Sequence, residues 1–170
     1  EAVHQGLLIK GGGHTMAAGF ALERRKHDAV HGFLRERLAE PVARAGAARE
    51  LRIDGTLSAA GANLALIDLI DRAGPYGPGH PEPRFAFPSH RVSRVRLIKE
   101  LHVRCTLAAS DGSRIEACAF RVAGTALGDL LLQGEGATLH VAGRARRTSW
   151  QGTESVELMI EDAADPRVLA

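Results

Sequence analysis

From Phe85 onward the chain is patterned as strands with one interruption, and the order of those elements limits the fold more than any other feature. Arg91–Ile98 and Leu101–Ala108 read as the first two strands, and Arg114–Phe120 as the third, after the hairpin-turn dipeptide Asp111-Gly112. Thr125–Leu132 has the spacing of a short helix, with Leu127, Leu130 and Leu131 on its inward side. Leu139–Arg146 and Ser155–Glu161 complete the set as a second hairpin.

Three strands, a helix and two strands is the chain order of an OB-fold, a five-stranded, partly open barrel with one short helix. An unrelated five-stranded barrel fits the same pattern. A two-residue turn at Asp111-Gly112 pairs Ser110 with Ser113 and so sets Cys105 opposite Cys118. That register turns both cysteines inward with Val103 and Phe120, and His102, Arg104, Thr106, Ala117, Ala119 and Arg121 outward. It leaves Glu116 on the inner side, so a place near the barrel mouth or a bulge is expected there. Opposed Cβ atoms in a sheet lie farther apart than a disulfide wants, so two free, buried thiols are expected.

Upstream of the barrel, Gly74-Pro75-Tyr76-Gly77-Pro78-Gly79-His80-Pro81-Glu82-Pro83 excludes helix and central strand and reads as a stiff junction. Before it come a short alternating run, Leu51–Asp54, and a helix carrying Leu64, Ile67 and Ile70, with Asn63 as its cap. Earlier still, Ala29, Val30, Phe33, Leu34 and Leu38 form one apolar stripe of a helix of about four turns. Pro41 should break or restart that helix, and Gly46 suggests its end. The division expected is therefore 1–49, too small in core for a complete domain, then 50–83 as connecting strand, helix and junction, then 84–170 as the barrel. The chain opens on Glu1 in mid-pattern and is read as part of a longer protein.

Near the start, Gly11-Gly12-Gly13-His14-Thr15-Met16-Ala17-Ala18-Gly19-Phe20 follows the apolar run Leu7-Leu8-Ile9. Three successive glycines permit positive φ and close ligand approach, and inward backbone N–H groups in such a loop suit phosphate. His14 adds a directed donor at its end. The string resembles the glycine-glycine-glycine-histidine motif of the DHH-associated domain of DHH-family phosphoesterases. The Pro/Gly junction with Arg84-Phe85-Ala86-Phe87 behind it resembles the RecJ branch of that family, with His80 where the family is expected to have asparagine.

This resemblance implies an α+β fragment, the C-terminal part of a DHH-associated domain, followed by an OB-fold. It implies a parent enzyme that degrades single-stranded DNA from the 5′ end with Mn2+ or Mg2+, in recombination and repair. Gly12 and Gly13 would hold phosphate, and His14 would steady charge in the transition state. The metal ligands belong to the N-terminal DHH domain, a partner in the same protein, so the chain alone should be inactive. His27 and His31 stand four apart but lack a third ligand, and no metal site is expected here. Single-strand-binding protein or a helicase would be further partners.

At 170 residues, 45% hydrophobic and 25% charged, the sequence is that of an ordinary globular protein. The net charge of +2 does not itself call for a polyanion, but the bases cluster. Arg84, Arg91, Arg94, Arg96, Lys99 and Arg104 face the single acid Glu100, and Arg144, Arg146 and Arg147 form a second knot. OB-folds bind on strands 2 and 3 and on the loops between strands 1–2 and 4–5. Lys99, His102, Arg104, Arg144, Arg146, Arg147 and Trp150 are thus the DNA-binding candidates. Trp150 either stacks a base or folds back over the barrel rim. Two cysteines, no signal peptide and no membrane-length apolar run point to the cytoplasm and away from membranes. Two other functions fit: a non-catalytic OB module gripping single strands or a protein, and a DHH phosphodiesterase acting on short oligonucleotides or cyclic dinucleotides.

Overall fold

The computed structural model describes residues 1–15, 17–47 and 50–167, in two units, Glu1–Glu50 and Leu51–Ala170. In the first unit the glycine string is a hairpin rather than a loop. Strand β1, Lys10–His14, pairs antiparallel with β2, Ala17–Ala21, setting Gly12 against Gly19 and Gly13 against Ala18. Met16 lies outside the described residues. Gly11–Gly13 are extended, and positive φ is not what requires them. At Gly13 the requirement is steric, since a Cβ there would sit 2.6 Å from the Ala17 carbonyl oxygen. A single 3-10 turn, Arg24–Lys26, then leads into helix α1, His27–Ala47.

Helix α1 does not stop at Pro41, which lies inside it. Proline removes one i→i−4 bond and crowds the preceding turn, and in a helix of 21 residues the remaining bonds carry it through. Val30 is the buried apolar residue of this unit among the described residues, while Ile9, Phe20, Leu38 and Val42 are exposed.

The second unit begins with β3, Gly55–Thr56, and α2, Leu64–Ala73. Asn63 caps α2, its Oδ1 accepting from the Leu66 N–H at 3.1 Å. The Pro/Gly stretch folds as a turn: Gly77 and His80 exchange backbone hydrogen bonds, and Tyr76 Oη donates to the Ile70 carbonyl at 2.7 Å. Residues 50–83 also build the barrel. β3 pairs parallel with the strand that starts at Phe85, and Ala59 and Ala62 join the core.

The barrel strands are β4 (Phe85–Ile98), β5 (His102–Ala108), β6 (Arg114–Ala119), β7 (Thr138–Trp150) and β8 (Thr153–Ala164), with α3 (Ala126–Gln133) between β6 and β7. They run in the order β4-β5-β6-β8-β7, and β7 pairs back on β4 to close the barrel. Every barrel pairing is antiparallel except β6 with β8. This is the OB-fold, with its helix after the third strand. Inward residues alternate along each strand: Val103, Cys105 and Leu107 on β5, Ile115, Ala117 and Ala119 on β6, Leu139 and Val141 on β7, Leu158 and Ile160 on β8. Leu131 of α3 is fully buried against them, and the helix starts at a Thr125 cap.

β4 begins at Phe85, six residues earlier than its pattern suggested, because a bulge carries it past Pro88-Ser89, and a second bulge follows between Ser93 and Arg96. A proline lacks the donor that a regular ladder needs, and a bulge removes the need. Ser89 and Arg94 take φ of 53° at these bulges. The Ser89 N–H donates to His140 Nδ1 at 3.0 Å, and the Arg94 and Val95 N–H groups donate to the Glu135 carboxylate at 3.0 and 2.7 Å.

The β5–β6 register differs from the one expected. Ala109 pairs with Ser113 around a three-residue loop, Ser110-Asp111-Gly112, with Gly112 at φ 84°. Asp111 stabilises the loop by accepting from the Ser113 N–H and hydroxyl at 2.9 and 2.5 Å. One extra loop residue shifts the pairing by one and reverses both faces of β6. Cys105 therefore faces Ala117 and Cys118 faces Arg104, on opposite sides of the sheet. Ala117 and Ala119 point inward, while Glu116, Cys118 and Phe120 point outward, which removes the anomaly of an inward Glu116. Both thiols are free and buried. Burial raises both of their pKa values, that of Cys105 to about 12.

Candidate nucleic-acid interface

The pairing of β5 with β6, β6 with β8 and β8 with β7 puts alternate residues of four strands on one outer face. Arg104 and Thr106 of β5 lie beside Glu116 and Cys118 of β6, then Glu157 and Met159 of β8, then Arg144 and Arg146 of β7. Continuing the same alternation to the end of the last hairpin, Trp150 stands on this face too, paired with Thr153.

Most of the arginines expected to meet DNA already hold acids. Arg104 sits between Glu157 at 3.1 Å and Glu116 at 3.9 Å, and Glu116 also takes Arg94 at 3.3 Å and the Thr106 hydroxyl at 2.7 Å. Arg144 pairs with Glu161 at 2.5 Å and Glu82 at 3.3 Å, and Glu161 also takes Arg84 at 2.5 Å. Arg147 is bound to Asp68 on α2 and to Glu154, and those hydrogen bonds push its pKa up. Arg146 lies against the Met159 sulfur with no acid partner among the described residues. The centre of this face is therefore charge-balanced rather than positive, and a phosphate there would have to compete with carboxylates already in place.

Cations outside any ion pair among the described residues stand at both ends of this face, Arg96 and Lys99 toward the β4–β5 turn and Arg91 and Arg114 toward the β5–β6 loop. Arg96 pairs with Arg104 across the strands, Lys99 occupies the turn with φ 51°, and neither enters an ion pair among the described residues. His102 follows the turn, its Nδ1 accepting from the Arg121 N–H at 2.9 Å. At the opposite end Trp150 is 76% exposed, so it does not fold back over the rim.

In the first unit, His14 is the exposed last residue of β1, opposite Ala17. Gly12 and its partner Gly19 have nothing within 4 Å of where a Cβ would stand, leaving bare backbone on that side of the hairpin. Among the described residues no group of three or more His, Cys, Asp or Glu side chains could hold a metal ion. The His27 and His31 rings stack with centroids 6.3 Å apart, without a third ligand. None of the described helices is long and apolar enough to cross a membrane.

The strand order, the helix position and the outer face define an OB-fold barrel of the kind that holds extended ligands across its second and third strands. A family model described as the RecJ OB domain matches residues 53–162, so the chain belongs to the RecJ OB-domain family. It is 29% identical over 163 residues to the single-stranded-DNA-specific exonuclease RecJ of Salmonella typhimurium, covering 95% of this chain and 27% of that protein. To the RecJ of Escherichia coli it is 32% identical over 124 residues, covering 72% and 21%. The crystal structure of RecJ in complex with Mg2+ from Thermus thermophilus superposes with a TM-score of 0.57 at 24% identity, covering 96% of this chain and 24% of that one. The chain spans about a quarter of the length of these relatives.

Proposed function

We propose that this chain is the C-terminal portion of a 5′-to-3′ exonuclease acting on single-stranded DNA in recombination and repair. The boundaries proposed are 1–49 for the end of a DHH-associated domain and 84–170 for the OB domain, joined by 50–83. Mn2+ or Mg2+ would be held by the DHH domain of the same protein, outside this chain. The strand backbone at Gly12 and Gly13, with His14 at the strand end, would meet the scissile or neighbouring phosphate. Single-strand-binding protein or a helicase is a further proposed partner, and the cytoplasm the proposed location.

The observation that carries the DNA-binding part is Trp150: a 76% exposed indole on the outer face of a RecJ OB domain, on the same strand face as Arg146, which has no acid partner among the described residues. An exposed indole gives any base a surface to stack on, worth roughly 1–3 kcal/mol. The 170-residue chain should bind a thymidine oligonucleotide weakly, with affinity falling steeply as salt rises, and should not cut it when Mn2+ is supplied. Trp150→Ala should weaken binding by about 1 kcal/mol or more without lowering the melting temperature. Cleavage by the chain alone would place a metal site within it, and unchanged affinity in Trp150→Ala would remove the indole from the interface.

A further inference from the structure

The register at the Asp111-Gly112 loop has a consequence at the other end of β6. Phe120 follows the last residue of that strand, and the observed pairing turns it outward, 46% exposed. There it makes an edge-to-face contact with His102, ring centroids 5.1 Å apart and planes at 62°. The next residue, Arg121, takes φ of 57°, and its N–H is accepted by His102 Nδ1 at 2.9 Å. That bond fixes the neutral His102 tautomer with its hydrogen on Nε2, so the ring keeps a donor free of the backbone. It also holds the sharp turn after Phe120, so the phenyl ring is braced on one side and open on the other. Arg121 follows Phe120 in the chain, Lys99 lies in the turn that leads to His102, and Arg96 pairs with Arg104 two residues along β5 from His102; none of the three enters an ion pair among the described residues.

We propose that Phe120, braced by His102, is a second base-stacking platform for single-stranded DNA, with Arg96, Lys99 and Arg121 supplying the phosphate contacts. This rests on the reading of the barrel as a DNA grip and deepens it. Exposed phenylalanine costs affinity for water and has no core to fill here, whereas an unpaired base offers it a π-face. The charge pattern is compatible, since among the described residues Arg96, Lys99 and Arg121 enter no ion pair at this end while the centre of the face is balanced by Glu116 and Glu157.

Distance fits as well. Phe120 stands four residues beyond Glu116, and Trp150 pairs with Thr153, four residues before Glu157, while Glu116 and Glu157 are register partners. At about 3.3 Å per residue the two aromatics are on the order of 26 Å apart along the strands, inside the roughly 4–16 nucleotides that an OB-fold covers. One strand could therefore stack on both.

The test uses the 170-residue chain and a fluorescein-labelled thymidine oligomer of about 16 nucleotides, with a matched oligomer carrying abasic sites. Phe120→Leu keeps the apolar volume but removes the π-face. It should weaken binding by about 5- to 100-fold at low salt, with an unchanged melting temperature, and Phe120→Trp should restore binding. Abasic substitution should cost the wild-type chain more than it costs Phe120→Leu, because the variant has already lost a stacked base. Equal affinity of Phe120→Leu and wild type would overturn the platform and leave the Trp150 grip standing. Equal abasic penalties in the two would likewise overturn it. No binding by the wild-type chain would overturn the barrel reading beneath it.

Discussion

Glu135 is a single side chain on which one wall of the barrel depends. It accepts the N–H groups of Arg94 and Val95, at 3.0 and 2.7 Å, where the second bulge of β4 takes both out of the strand ladder. A hydrogen bond to a charged group is worth about 1.5–3 kcal/mol. Both bonds here lie at the surface, where water replaces part of what is lost, so Glu135→Ala should cost about 2 kcal/mol in total. For a unit of this size that is a fall of roughly 6–12 °C in melting temperature. Glu135→Gln, which keeps one acceptor oxygen, should fall between. The bulge also sets the register that puts Arg96 opposite Arg104, so Glu135→Ala should weaken DNA binding as well. Thermal melts followed by circular dichroism give the first quantity and fluorescence anisotropy the second. A melting temperature within about 1 °C of wild type would show that water caps the bulge as well as Glu135 does, and the reasoning would fail.

Two other outcomes are expected. Glu157→Gln releases Arg104 from its 3.1 Å partner, so it should tighten binding to single-stranded DNA and steepen the log–log salt slope by roughly 0.7; weaker binding would mean that Glu157 positions Arg104 for the strand rather than neutralising it. Cys105 is raised by burial from 9.0 to about 12, so the folded state holds its proton more tightly than the unfolded state does. The stability this contributes is fully present below pH ~9 and is lost as pH rises toward about 12. Cys105→Ala should flatten the decline in melting temperature over that range, and an identical pH profile in the two proteins would refute it.

Much of this protein is legible along the chain because the signals are local. Alternating apolar residues mark the strands, a periodic run marks α3, and Asn63 caps α2 as its position before an apolar repeat implied. The element order followed from these, and with it the OB-fold. The first glycine string was readable as a special backbone site, but its form was not. Only pairing with Ala18–Phe20 makes it a hairpin in which Gly13 has no room for a Cβ.

Tertiary structure decided which residues the candidate interface offers. One additional loop residue at Ser110-Asp111-Gly112 moved Cys118 and Phe120 from the inside of the barrel to the outside, because side chains in a strand alternate with a period of two. The bulges of β4 could not be read from a stretch whose proline looks like a break, since their N–H partners, His140 and Glu135, lie 51 and 41 residues away. The charge of the face was equally hidden. The knot of arginines near the end of β7 reads as positive in sequence, yet Asp68 reaches Arg147 from 79 residues away and Glu161 holds both Arg84 and Arg144. Whether a cation is free for a phosphate is a property of the charges that folding brings beside it, and no local pattern carries that information.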